Sequence, residues 1–352
     1  MSTEPAIDPA TVRRVLLIRP RFLGDVCLTL PTLDAVRAAC PKARVAYVVE
    51  RDSAPLIEGD PRVDETIVAD RAGGLRATAA LISKLRRFAP DVAMDFFCNP
   101  RTAVWCFASG ARVRVGYPNK GWRSALYTHH ARPRTLSAVG FHLASLRAIG
   151  WSAPAAGVPR LHITDQARRD ADEALRALGV PEDAILLGIH PGARWMTRQW
   201  DPARYSALAL RFLERFRRGV VVVSGGPGED ARVQLVAGAL PAARTREVIG
   251  WPIVRFAAFQ SRCAAFVCGD TGPLHTAVAA GAPTLALMSR NRPAMFFPYL
   301  KSTQHRAYYA RVECSPCHRD ICSDLRCLER LTVDGAWSHL EVMLERSGNA
   351  AS

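Results

Sequence analysis

No apolar run in this 352-residue chain approaches the roughly 20 residues that a membrane-crossing helix needs. Its opening, MSTEPAIDPA, has neither the charged start nor the apolar core of a signal peptide, so a cytoplasmic location is expected. Low-complexity tracts and short-period repeats are missing too, which excludes disordered, fibrous and solenoid classes. Helix-turn-helix, RNP-like and aromatic-interleaved basic patterns are equally absent, so nucleic acid is not an expected partner. Lysine is scarce, with four residues among 47 basic ones, and arginine therefore carries the positive charge.

What is present points to a folded enzyme-sized protein. With 49% hydrophobic residues the chain can bury a substantial core, and its length favours two domains. The net charge of +15 suits a polyanionic partner: nucleic acid, an acidic membrane surface or a phosphorylated substrate. Charge alone does not choose among these, and arginines scattered along the chain are equally consistent with a solvated basic surface.

Short apolar runs alternate with amphipathic stretches in two series. The first runs from RRVLLIRP (13–20) through the loop RFLGDV and the helical CLTLPTLDAVRAAC to ARVAYVVE, DETIVAD, LRATAALISKLRRF and DVAMDFF. The second opens with DQARRDADEALRALGV (165–180) and AILLGIHPG, then continues through PARYSALALRFLERF, GVVVVSGG, EDARVQLVAGAL, IVRFAAFQSRC, AAFVCGD, TGPLHTAVAAGA and PTLALMS. This grammar predicts βαβ units and parallel sheets, hence an α/β fold of two doubly wound, Rossmann-like domains. The Pro-, Ala- and Gly-rich WSAPAAGVPR (151–160) is the expected linker, dividing the chain into 1–155 and 156–352.

In such sheets ligands bind beyond the carboxyl ends of the strands, so the strand-to-helix loops are where chemistry is expected. The break Gly269-Asp270-Thr271-Gly272-Pro273 either caps a helix or offers its N-terminal N–H groups and positive dipole end to a phosphate, with His275 one turn further on. The loop HPGARWMTRQWDPARY (190–205) precedes a helix capped by Asp201. Its Gly192, Arg194 and Arg198 read as an anion clamp or as solvated arginines. SGGPGEDA (224–231) is glycine-rich, with Glu229 at a helix start. In the first series, Asp25 follows Gly24 just after the first strand and is either a helix cap or a general base.

Taken together, RPRFLGDVCLTLPTLDAVR, HPGARWMTRQWDPARY, CGDTGPLHTAVAAGAPTLALM and CSPCHRDICSDLRCL resemble the ADP-heptose:lipopolysaccharide heptosyltransferases of glycosyltransferase family 9, over residues 13 to 340. The resemblance implies a GT-B fold and an inverting, metal-independent transfer of heptose from ADP-heptose to the lipopolysaccharide inner core. It also implies work on the cytoplasmic face of the inner membrane, peripheral to an anionic lipid surface. Asp25 takes the catalytic-base position. Asp270, Thr271, Gly272, Pro273 and His275 match the segment that holds the nucleotide sugar. Arg198 stands where the family usually has Lys, keeping the charge toward a diphosphate but changing its geometry. Glu229 falls near the position of a ribose-binding Glu.

The chemistry matches these residue types, since inversion needs a base for the acceptor hydroxyl and a charge sink for the departing diphosphate. The expected acceptor contacts are Arg19, Arg21, Gly24, Arg112, Arg114, Lys120 and Arg123, with Arg132 and Arg134 beside them. Cys314, Cys317, Cys322 and Cys327 form a C-x2-C-x4-C-x4-C run that reads either as a structural metal knuckle or as a nest of reduced thiols. No cofactor is expected for catalysis. Two alternatives remain open here: a transferase of the same fold with a protein or metabolite acceptor, and a non-catalytic nucleotide- or nucleic-acid-binding protein.

Overall fold

The β-branched and leucine runs pair as parallel strands in two separate sheets of six. The structure is a computed structural model that describes residues 6–118, 121–297, 299, 304–317 and 319–346. It divides into two units, Met1–His162 and Ile163–Ser352.

In the first unit β1 (Arg14–Ile18), α1 (Leu23–Ala39), β2 (Arg44–Glu50), β3 (Glu65–Ala69), α2 (Gly74–Phe88), β4 (Val92–Asp95), α3 (Pro100–Ala108), β5 (Val113–Gly116), β6 (His129–His130) and α4 (Ala138–Arg147) follow in order. The strands lie in the order β3-β2-β1-β4-β5-β6. β1 is buried from Val15 to Ile18 and its neighbours β2 and β4 are buried nearly throughout, so continuous apolar runs rather than alternation mark these central strands. α4 packs on α1, while α2, α3 and the 3-10 turn Gly121–Leu126 pack on one another.

The second unit repeats the plan with α5 (Asp165–Ala177), β7 (Ile185–His190), α6 (Pro202–Arg215), β8 (Gly219–Gly225), α7 (Asp230–Ala237), β9 (Thr245–Ile249), α8 (Ile253–Arg262), β10 (Ala265–Gly269), α9 (Gly272–Ala279), β11 (Thr284–Met288), α10 (Pro293–Phe296), β12 (His305–Tyr309), α11 (Arg326–Glu329) and α12 (Val333–Arg346). Its order β12-β11-β10-β7-β8-β9 is the first unit's order again. Each sheet therefore has one topological switch point, between β1 and β4 and between β7 and β10, where the chain leaves adjacent strands toward opposite sides and a crevice opens.

Three expectations need adjustment. α1 begins at Leu23, so much of the expected loop RFLGDV is helical and Asp25 sits in a first turn. The stretch 151–160 belongs to the first unit, where Arg147 Nη1 donates to the carbonyls of Ala153 and Pro154, and the unit boundary falls after His162. The edge strands β6, β9 and β12 were not read from the sequence. β6 has only two residues, and β9 and β12 are mostly half-buried, so neither needs an apolar run.

Candidate active site

The first unit's switch point is built around Arg19, which leaves β1 with its guanidinium buried. Nη2 lies 2.7 Å from Asp25 Oδ1, Nη1 donates to the Phe96 carbonyl at 2.6 Å, and the group lies over the Phe97 ring, 4.9 Å from its centroid. The other carboxylate oxygen, Asp25 Oδ2, accepts from the Phe22 backbone N–H at 3.3 Å. Asp25 is thus held from two directions, yet about a third of its side chain meets solvent. That combination gives a fixed, reachable proton acceptor.

The loop holding Arg19 is itself shaped by a carboxyl that the sequence reading passed over. Asp95, wholly buried at the end of β4, accepts from the backbone of Phe97 and Cys98 at 2.9 Å each and from Tyr127 Oη at 2.8 Å. Burial outweighs these donors and raises its pKa. The available signal was a carboxylate ending an apolar strand, in AMDFF.

The expected acceptor contacts do not form one set. Arg19 pairs with Asp25 and donates to Phe96, which makes it the holder of the carboxylate. Arg114 is likewise engaged within the unit: its Nε and Nη1 donate to Leu126 and Ala111 carbonyls at 2.7 Å, bracing the turn after β5. Gly24 is buried in the first turn of α1. Arg21 stacks near the Phe22 and Phe97 rings with Glu50 3.9 Å away. Arg112, Arg132 and Arg134 are exposed, Arg123 is half-buried, and Lys120 lies outside the described residues.

The second switch point gathers the other predicted residues. Thr271 is the N-cap of α9 with Pro273 in its first turn, as expected, but its side chain makes no capping hydrogen bond. Asp270 is not the cap. It is buried, and its Oδ2 accepts from Asn291 Nδ2 at 2.6 Å. Arg198 Nη1 donates to the Asp270 carbonyl at 2.9 Å and lies 3.6 Å from Oδ2. Gly269 permits this approach, because a Cβ there would come within 2.3 Å of the Arg198 carbonyl oxygen. Gln260 braces the helix start through its Nε2 to the Pro273 carbonyl and its Oε1 to Thr276 Oγ1. His275 is buried along the same helix.

Glu229, the N-cap residue of α7, turns its carboxylate back under the loop from β7. Oε2 accepts from Gly226 N–H at 2.7 Å and lies 3.3 Å from His190 Nε2. Burial pushes His190 below the usual imidazole range against the opposing pull of Glu229, so at neutral pH the contact joins a neutral ring to a carboxylate. Gly192 packs on that carboxylate, and a Cβ there would meet it at 2.3–2.4 Å. The missing side chain at Gly192 makes room for Glu229. Arg232, unremarked in the sequence, pins both ends of the loop by donating to the carbonyls of Pro191 (2.8 Å) and Trp200 (2.9 Å). Arg194 is exposed and lies over Trp195.

The cysteine-rich segment lies against this loop. Thr197 Oγ1 donates to the Arg319 carbonyl at 3.0 Å, Ser289 Oγ donates to the Thr197 carbonyl, and Cys317 N–H donates to the Arg290 carbonyl at 3.2 Å. Cys327 is buried, Cys317 and Cys322 are half-buried and Cys314 is exposed. Among the described residues no three His, Cys, Asp or Glu side chains form a group that could hold a metal ion, so the metal-knuckle reading of Cys314, Cys317, Cys322 and Cys327 gains no support here. Burial, with Cys317 and Cys314 nearby, raises the pKa of the Cys327 thiol. The segment props the loop that carries Arg198.

The two switch points therefore offer a held carboxylate in one unit and, in the other, a guanidinium beside a helix N-terminus whose cap side chain makes no capping bond. Comparison with known proteins bears on this geometry. A heptosyltransferase of Pseudomonas aeruginosa, lipopolysaccharide heptosyltransferase 1, is 26% identical over 362 aligned residues covering 94% of this chain and 98% of that protein. Among solved structures, a family 9 glycosyl transferase from Veillonella parvula superposes with a TM-score of 0.84 at 22% identity, covering 97% of this chain and 98% of the other. The E. coli ADP-heptose LPS heptosyltransferase II gives 0.78 at 19% identity, covering 95% and 99%. These likenesses identify the fold as GT-B. The family model described as Glycosyltransferase family 9 (heptosyltransferase) matches residues 78–327, and the chain belongs to that family of glycosyltransferases.

Proposed function

We propose that this glycosyltransferase moves a heptose from ADP-heptose to a hydroxyl of the lipopolysaccharide inner core, with inversion and without a catalytic metal, at the cytoplasmic face of the inner membrane. Asp25 takes the proton of the acceptor hydroxyl as its oxygen bonds to the anomeric carbon, while the bond from that carbon to the diphosphate oxygen breaks and ADP leaves. Arg198 and the first-turn N–H groups of α9 stabilise the negative charge that develops on the diphosphate. Glu229, with Oε2 fixed by Gly226, presents Oε1 to the ribose hydroxyls. In this reading the first unit serves the acceptor and the second the donor.

The observation that carries the proposal is the held but reachable Asp25 carboxylate at the first switch point of a family 9 chain. Product analysis by mass spectrometry tests it, using a panel of nucleotide sugars and truncated lipopolysaccharide cores. One added heptose from ADP-heptose on a core lacking that sugar is expected. Transfer only from another nucleotide sugar, or only to a protein or small metabolite, would overturn the assignment.

A further inference from the structure

The positive charge is unevenly placed. Residues 71–162 contain fourteen Lys and Arg against two Asp, whereas residues 1–70 contain nine against eleven acidic residues. Neither aspartate offsets the excess at the surface: Asp95 is wholly buried, and Asp91 accepts from the backbone N–H groups of Arg13 and Arg14. Asp70, just before the basic region, accepts from the backbone of its own turn at Ala72 and Gly73.

The fold collects much of this charge in one helical layer. α2 packs on α3, and α3 packs on the turn Gly121–Leu126. Arg101 donates to the Arg71 carbonyl at one end and Arg86 to the Ala108 carbonyl at the other, which sets the two helices side by side. Arg71, Arg76, Lys84 and Arg87 are exposed on this layer. So are large apolar side chains: Leu75 is 89% exposed, Trp122 63% and Phe107 53%. Cations interspersed with exposed Trp, Phe and Leu are the composition of a surface that meets anionic headgroups while its apolar tips enter the acyl boundary. A nucleic-acid surface would set its aromatic rings as stacking platforms along a basic groove, whereas here the exposed aliphatic side chains of Leu75 and Val104 stand among the cations with Trp122 and Phe107, a mixture that favours lipid.

We infer that the layer formed by α2, α3 and the turn Gly121–Leu126 is a docking surface for an anionic lipid bilayer. This rests on the proposed function and deepens it by naming the face that meets the membrane carrying the acceptor. Co-sedimentation of the full chain with vesicles of phosphatidylglycerol and phosphatidylethanolamine, against vesicles of phosphatidylcholine, tests it directly. Preference for the anionic vesicles, weakened by salt, is expected. A basic residue near such a surface is worth about a fivefold change in membrane affinity, so the triple variant Arg71→Glu, Arg76→Glu, Lys84→Glu loses at least about a hundredfold. Trp122→Ala lowers the binding that persists at high salt. Both variants keep the wild-type thermal midpoint and transfer to a soluble core oligosaccharide at the wild-type rate. Equal vesicle binding by the triple variant, no anionic preference in the wild type, or RNA that displaces the vesicles would each overturn the inference. Vesicle binding that follows this pattern without any heptose transfer would uphold the surface and sink the functional reading instead.

Discussion

The two units share a strand order and place their candidate chemistry at the same switch point, but they use carboxylates in opposite ways. In the first unit a buried arginine holds Asp25 while leaving the carboxylate reachable. In the second unit Asp270 is buried and receives Asn291, while the more exposed Arg198 lies beside it near the N-terminus of α9. In the proposed function the same topology supplies a proton acceptor in one unit and a charge sink in the other. What differs is which partner of each Arg–Asp pair is buried.

The contrast can be broken most severely at Asp25. Asp25→Asn keeps the size of the side chain but removes its basicity, and turnover should fall about 10²- to 10⁴-fold. Calorimetry should find ADP binding unchanged, because a base acting on the acceptor does not contact the diphosphate. Near wild-type turnover would remove Asp25 from the chemistry.

Arg198→Ala should lower turnover about 10²- to 10³-fold and weaken ADP binding as well, since it removes charge from the leaving-group side. Arg198→Lys should retain most of both, as charge neutralisation is the task. Equal damage from the two substitutions would point to a bidentate guanidinium contact, and unchanged ADP affinity in Arg198→Ala would exclude it from the donor site.

Arg19 sharpens the comparison because it is a positioning residue. Arg19→Ala should reduce kcat about ten- to a hundredfold with KM little changed, and Arg19→Lys should recover part of the loss by restoring a donor to Asp25. A rise in KM with kcat intact would mean that Arg19 contacts the acceptor after all.

Gly192→Ala should have the smallest effect. The added methyl displaces the Glu229 carboxylate, so ADP affinity should fall about tenfold, the effect of roughly 1.4 kcal/mol, while turnover at saturating donor stays close to wild type. Unchanged affinity, measured by calorimetry, would show that Glu229 does not contact the nucleotide.

Much of the site was legible as loops and little of it as contacts. Asp25, Arg198, Glu229 and the 270–275 segment stand at strand ends in the sequence, and parallel sheets place ligands there. Arg232 has no local signal because its partners, the Pro191 and Trp200 carbonyls, lie 32 or more residues away, and the local sign at Asp95, a carboxylate ending an apolar strand, does not reveal its bond to Tyr127. The cysteine run keeps two readings for a related reason: spacing suggests a metal set, but whether the thiols converge depends on the fold around them.

Apolar periodicity by itself determined the two βα series, their central strands and the loops where chemistry belongs, because burial of a strand or helix face is written in neighbouring residues. Tertiary structure alone decided the roles of the arginines. Arg19, Arg114 and Arg198 carry the same charge, and the chain cannot show that the first holds the Asp25 carboxylate, the second braces a turn and the third meets a carbonyl 72 residues away. An ion pair is fixed by distance in space, and two residues remote in sequence acquire that distance only when the sheets have formed.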